Sequence, residues 1–155
     1  SDEISLIVIH SISLPPSKYG SNDIDKFFLN KLDSSKHPYF EKIINLKVSS
    51  HFLIERTGVL KQFVSTEDRA WHAGESSFEG KNNCNNFSIG IELEGTDDSK
   101  FEKVQYSKLI KLTRTLMENY PKINKDRIVG HSFVAPGRKS DPGIYFDWEY
   151  FKSEV

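Results

Sequence analysis

The segment from Gly130 to Gly143 carries His131, Lys139 and Asp141 in a run broken by Pro136, Gly137 and Pro142, and reads as one loop. An imidazole and a carboxylate are both zinc ligands, and an ammonium beside them can stabilise an oxyanion. A third ligand is missing from the loop. His10, which closes the apolar run Ile4-Ser5-Leu6-Ile7-Val8-Ile9, is placed to supply it. A His/His/Asp set leaves the fourth tetrahedral position to water, the feature that separates a catalytic zinc from a closed structural one. The chemistry on offer is that of a zinc hydrolase. Each residue also has a plainer reading. A histidine at a strand end more often packs or hydrogen-bonds than ligates. Asp141-Pro142-Gly143 is a turn by composition, and Lys139 beside Arg138 is an ordinary solvated pair. Their joint occurrence at the ends of two expected strands favours the metal, because neighbouring strands can bring two ends together. Residue chemistry alone leaves both readings open.

Glu92 and Glu94 add a second element. On a strand, alternate residues share a face, so both carboxylates project to one side while Ile91 and Leu93 project to the other. Facing the metal, a glutamate could take a proton from water and return it to a leaving amine. On an edge strand, both would simply face solvent. Ile89-Gly90-Ile91 favours a central, buried strand, where a carboxylate needs a reason to be present.

The elements that must position these groups alternate between strand and helix patterns. The branched run Ile4 to Ile9 predicts a buried strand ending at His10, after which Leu14-Pro15-Pro16 breaks regular structure. From Asn22, Ile24, Phe27, Phe28 and Leu32 form a helical stripe. Ser50 to Glu55 and Val59 to Val64 bracket Arg56-Thr57-Gly58 as a hairpin. Phe87 to Leu93 reads as a strand and Val104 to Tyr120 as a helix stopped by Pro121. Arg127 to Gly130 leads into the His131 loop, and a last helical turn covers Phe146 to Phe151. The expected fold is α/β, a mixed central sheet flanked by helices, in one domain over residues 1–155.

Composition narrows the function classes. With 21 basic and 22 acidic side chains in 155 residues, the formal net charge is −1, and nothing favours a nucleic-acid or anionic-membrane surface. The longest apolar runs fall far short of the ~20 residues of a membrane-spanning helix. No secretory signal is visible. Cys84 is the only cysteine, which leans toward a reducing compartment.

Four runs occur in order: Val48-Ser49-Ser50-His51-Phe52-Leu53-Ile54, Arg69-Ala70-Trp71-His72-Ala73-Gly74, Asn86 to Gly95, and the His131 to Gly143 loop. With His10-Ser11-Ile12-Ser13-Leu14-Pro15-Pro16 and His37-Pro38-Tyr39-Phe40, they resemble the type-2 N-acetylmuramoyl-L-alanine amidases, and among them the cytoplasmic AmpD-type anhydromuropeptide amidases. The resemblance runs from about Leu6 through Trp148. It implies the type-2 amidase, peptidoglycan-recognition-like fold. It also implies a zinc ion on His10, His131 and Asp141, a catalytic Glu92 and an active-site Lys139. The implied reaction is hydrolysis of the amide between anhydro-N-acetylmuramic acid and L-alanine of a soluble muropeptide, in cell-wall recycling. A monomer with a small-molecule substrate, and neither nucleic acid nor membrane as partner, is the corresponding expectation.

The remaining residues of these runs are expected around the substrate. Trp71 and His72 are assigned to the groove, since an indole beside polar groups suits a sugar ring or peptide face. Arg138 is assigned to a stem-peptide carboxylate, and Ser11 to the sugar, where members of the family often carry asparagine. His51 is expected to pack or to orient a metal ligand, and His37 only to mark its loop. Lys47 and Asn83 stand where arginine is expected, which would alter carboxylate recognition. The lead-in before the first strand is also shorter than in the family. Two rivals remain: a non-catalytic peptidoglycan-recognition module, against which the full ligand set with Glu92 and Lys139 counts, and a periplasmic amidase of polymeric wall.

Overall fold

The computed structural model describes residues 3–155. Its centre is β1 (Leu6–Ile12) beside β6 (Ser88–Glu94). Leu6, Ile7, Val8 and Ile9 are fully buried, and every residue of β6 is buried as well. Near-continuous burial on both faces is what interior parallel strands require. The sheet runs β3-β2-β6-β1-β7, with β2 at Phe52–Ile54, β3 at Leu60–Gln62 and β7 at Ile128–Gly130. β1 is parallel to β6 and β7, and β2 is parallel to β6, while β3 returns antiparallel to β2. This is the mixed sheet with helices expected from the sequence.

Alternation sorts the side chains to two faces. Ile7, Ile9, Ile89, Ile91, Leu93, Phe52 and Ile54 point to one, where Leu109, Ile110 and Leu116 of α3 (Lys103–Asn119) and Phe151 of α5 (Trp148–Glu154) cover them. The α3 start carries a reciprocal capping box of Glu102 and Gln105. The buried Gln105 amide also donates to the carbonyls of Ile54 and Glu94, tying the helix to the ends of β2 and β6. On the other face, Leu6 and Val8 meet Ala73, Phe78, Phe87 and Val134. Further along, Leu53 packs under Ile24, Phe27 and Phe28 of α1 (Asp23–Phe28) and Phe40 of α2 (Pro38–Ile43). His10 and Glu92 lie on this second face, at the carboxyl ends of parallel strands, where ligands of open α/β sheets bind.

Several boundaries differ from expectation, each for a local reason. β1 continues through His10 to Ile12, because the pairing His10↔Glu92 and Ile12↔Glu94 extends the ladder beyond the apolar run. The first helix stops at Phe28, and Leu32 is buried from the segment beyond it. The hairpin strands are shorter than predicted, and Gly58, at φ +89°, supplies the left-handed turn between them. Three short elements were not expected: α2, the ribbon of β4 (Ser77–Phe78) with β5 (Lys81–Asn82), and α4 (His131–Val134). His37 does more than mark a loop, since its Nδ1 accepts from Tyr39 N–H at 3.0 Å and caps α2.

Candidate metal and catalytic site

Three elements converge on one point. His10 comes from β1, His131 opens α4 directly after β7, and Asp141 follows ten residues on in the same loop. Ser132 N–H donates to the Asp141 carbonyl at 2.9 Å, which folds that loop back on itself. His10 Nδ1 lies 3.0 Å from His131 Nδ1, and Asp141 Oδ2 lies 3.2 Å from the first and 3.3 Å from the second. A tetrahedral ion with bonds of ~2.0–2.1 Å holds its ligand atoms roughly 3.3 Å apart, so the triangle fits zinc. The donor chemistry fits too. His131 Nε2 faces the Ala73 carbonyl at 2.9 Å, and a carbonyl can only accept, so this nitrogen carries the ring proton. The Nδ1 of neutral His131 is then a bare lone pair aimed at another nitrogen and a carboxylate, an arrangement that a cation relieves.

Burial and charge set the protonation of the cluster. Burial works to raise the Asp141 carboxyl, but the imidazoles of His10 and His131 reverse it and hold the group far below the ordinary carboxylate range. Desolvation lowers His10, against the pull of Asp141. Both directions give the states a metal ligand needs, carboxylate and neutral imidazole.

Glu92 stands beside His10 in register, with Oε2 at 4.0 Å from His10 Nδ1. Desolvation, and then the Asp141 charge, push the Glu92 carboxyl well above its ordinary value, while Lys139 pulls it down. Its Oε1 is buried without a hydrogen-bond partner among the described residues. Buried polar atoms rarely go unpaired, and one beside a ligand triangle is poised for a reacting proton. Lys139 is exposed on the loop, and its charge reaches both Glu92 and His10. Glu94 is occupied otherwise: its two oxygens accept from Arg56 N–H and Gly20 N–H, each at 3.0 Å. β6 is flanked on both sides, which removes the solvent-facing edge reading for either glutamate.

The expected substrate residues divide. Trp71 is 54 % exposed, with the Arg69 guanidinium stacked 4.3 Å from its ring centroid. His72 is only 6 % exposed, and lies behind His10, its Nδ1 at 2.9 Å from His10 Nε2; a groove-lining role is corrected by that placement. Burial, then the neighbouring imidazoles, hold His72 well below the ordinary imidazole value. Arg138 is exposed, and its Nη2 donates to the carbonyls of Ala73 at 2.7 Å and Glu75 at 2.9 Å, behind His131. Ser11 follows the alternation of β1 to the face of Ile7 and Ile9, opposite His10. His51 accepts from Gly90 N–H at 3.1 Å and donates to the Asp68 carbonyl at 2.8 Å, while its ring packs edgewise on His72. Lys47 and Asn83 are both exposed.

Three supporting residues were missed. Asn85 Oδ1 accepts from both His72 N–H and Ala73 N–H, Ser88 Oγ meets His72 Nε2, and Gly90 leaves room for the His72 ring. A Cβ on Gly90 would lie 2.4 Å from that ring. A glycine inside a central strand marks close approach of another group, and was the one available signal.

A largely buried His/His/carboxylate triangle at the carboxyl ends of parallel strands, beside a buried glutamate whose Oε1 has no partner among the described residues, defines a hydrolase-type site. A family profile described as N-acetylmuramoyl-L-alanine amidase matches residues 1–144, and the chain belongs to that family of amidases. It is 55 % identical over 153 residues to the 1,6-anhydro-N-acetylmuramyl-L-alanine amidase AmpD of Haemophilus influenzae, covering 99 % of this chain and 83 % of the relative. Among solved structures, a crystal structure of a selenomethionine AmpD derivative matches with a TM-score of 0.97 at 47 % identity, over 99 % of this chain and 86 % of that one. The amidase AmiD of Escherichia coli, solved with anhydro-N-acetylmuramic acid-L-Ala-D-γ-Glu-L-Lys, matches with a TM-score of 0.72 at 30 % identity, over 97 % of this chain and 57 % of that one.

Proposed function

We propose that this amidase hydrolyses the amide between 1,6-anhydro-N-acetylmuramic acid and L-alanine of the stem peptide in soluble muropeptides, as a step of peptidoglycan recycling. The observation that carries the reading is the His10, His131 and Asp141 triangle with the unpaired Glu92 oxygen at its side. The relative at 55 % identity, whose name states that activity, gives the substrate class.

His10, His131 and Asp141 would hold zinc. Bound there, zinc supplies Lewis-acid chemistry, polarising the scissile carbonyl and making water acidic enough to react near neutral pH. Glu92 takes the proton from the attacking water and passes it to the alanine nitrogen as the C–N bond breaks. Its raised affinity for protons suits both halves of that task. Lys139 presents positive charge to the oxyanion that develops on the carbonyl oxygen. The peptide leaves with a free amine and the sugar keeps a lactyl carboxylate. We place the enzyme in the cytoplasm, acting as a single copy. Its one cysteine, Cys84, is a buried thiol pushed up by desolvation, a usage in keeping with a reducing compartment.

The test is mass-spectrometric detection of cleavage of an anhydro-N-acetylmuramyl tripeptide with zinc, with chelator, and with chelator followed by excess zinc. Release of free L-alanyl peptide that stops with chelator and returns with zinc is expected. Zinc-loaded protein that cleaves none of it would refute the assignment, and cleavage indifferent to chelator would remove the metal from it.

A further inference from the structure

Behind the ligand triangle runs a line of hydrogen bonds that the hydrolytic steps do not use. Ser88 Oγ lies 2.6 Å from the Cys84 carbonyl, a contact in which only the hydroxyl can donate. With its single proton spent there, the same oxygen stands 3.1 Å from His72 Nε2 and must accept. Neutral His72 therefore carries its ring proton on Nε2 and a lone pair on Nδ1. That lone pair faces His10 Nε2 at 2.9 Å and accepts its proton. Neutral His10 is left with a bare Nδ1, the atom that meets His131 and Asp141. His10, His72 and Ser88 are at most 6 % exposed, so solvent offers no competing partner along the line.

We infer that His72 is a positioning residue that fixes the metal-binding tautomer of His10, with Ser88 setting the direction of the line. The inference rests on the metal reading above only for its consequence; the tautomer itself follows from the hydrogen bonds. Reversed, the line would put a proton on His10 Nδ1, in the space an ion must occupy. The backbone beside His72 does the same for the second histidine, since the Ala73 carbonyl takes the His131 Nε2 proton. Asn85 pins both residues through their backbone N–H groups, so one short stretch of chain orients two ligands. Ligand histidines owe orientation and basicity to such outer partners, whose loss typically costs 10–100-fold in metal affinity.

The experiment reads the tautomer directly, by ¹⁵N-resolved NMR of the imidazoles in metal-free protein, and then the zinc dissociation constant by chelator competition. Wild type should show His10 protonated at Nε2. Ser88→Ala, a small change, should mix or reverse that tautomer and weaken zinc about 10–100-fold. His72→Leu should do the same, whereas His72→Gln, whose carbonyl can accept from His10 Nε2–H, should recover most of the affinity. A His10 tautomer unchanged in both Ser88→Ala and His72→Leu overturns the inference, as does zinc affinity equal to wild type in the two. Wild-type protein that takes up no zinc would sink the metal reading instead, and the tautomer measurement would still decide this one.

Discussion

Replacing Glu92 by glutamine keeps the size of the side chain and removes the carboxyl proposed to move the proton. Glu92→Gln should lower kcat about 10²–10⁴-fold while zinc content, read by metal analysis, stays at wild-type level. Lys139→Ala should cost ~10²–10³ in rate, again with metal retained. Asp141→Ala should instead lose the metal; a variant keeping both zinc and full activity would refute the ligand assignment. Residue types and spacing pointed to a metal without deciding it, and the resemblance to the amidase family is what singled out Glu92 over Glu94 and Lys139 in the loop. The placement of His72 was not legible, since it depends on which way a side chain turns. An imidazole beside an indole reads as a surface pair, yet His72 faces inward, to His10, and Trp71 outward. Ser88 and Asn85 gave no signal, because a serine and an asparagine acquire a role here only through the groups that the fold brings within reach.

The strands and the long helix were readable from their periodicity, and what escaped was short. α2, α4 and the β4–β5 ribbon span at most six residues each, too few to display a period. The ligand loop depends on one such local detail. Gly143 has φ +93°, and a Cβ there would come 2.0 Å from the Asp97 carbonyl oxygen. Gly143→Ala adds both a left-handed strain and a clash with backbone that cannot swing aside. It should destabilise the metal-free protein by at least about 1–3 kcal/mol, read by urea denaturation, and should weaken zinc through Asp141 two positions away. An unchanged denaturation midpoint would show that the two loops separate freely. Gly90→Ala presses instead on the His72 ring, so its expected signature is a metal-affinity loss out of proportion to its effect on folding.

For the molecule as a whole, the buried histidines couple stability to pH. Burial lowers His10, His51 and His72 below the ordinary imidazole value of 6.5, so the folded chain binds fewer protons than the unfolded chain once the pH falls below that value. Their contribution is complete above pH 6.5 and is lost as the pH drops toward their folded values. The thermal midpoint of metal-free Glu92→Gln, which lacks the one carboxyl that burial pushes well above its ordinary value, should therefore fall between pH 7.5 and about 5.5, above the ordinary carboxylate range. A flat profile over that window would mean that these imidazoles are as accessible to protons as in the unfolded chain. The site also has an order in time. His10 meets Asp141 across 131 residues of sequence. A ribosome that has made His10 must add all of those residues before the triangle can close. Nascent fragments released before Asp141, however well folded locally, lack part of the proposed ligand set, so on this reading they carry no bond-cutting capacity.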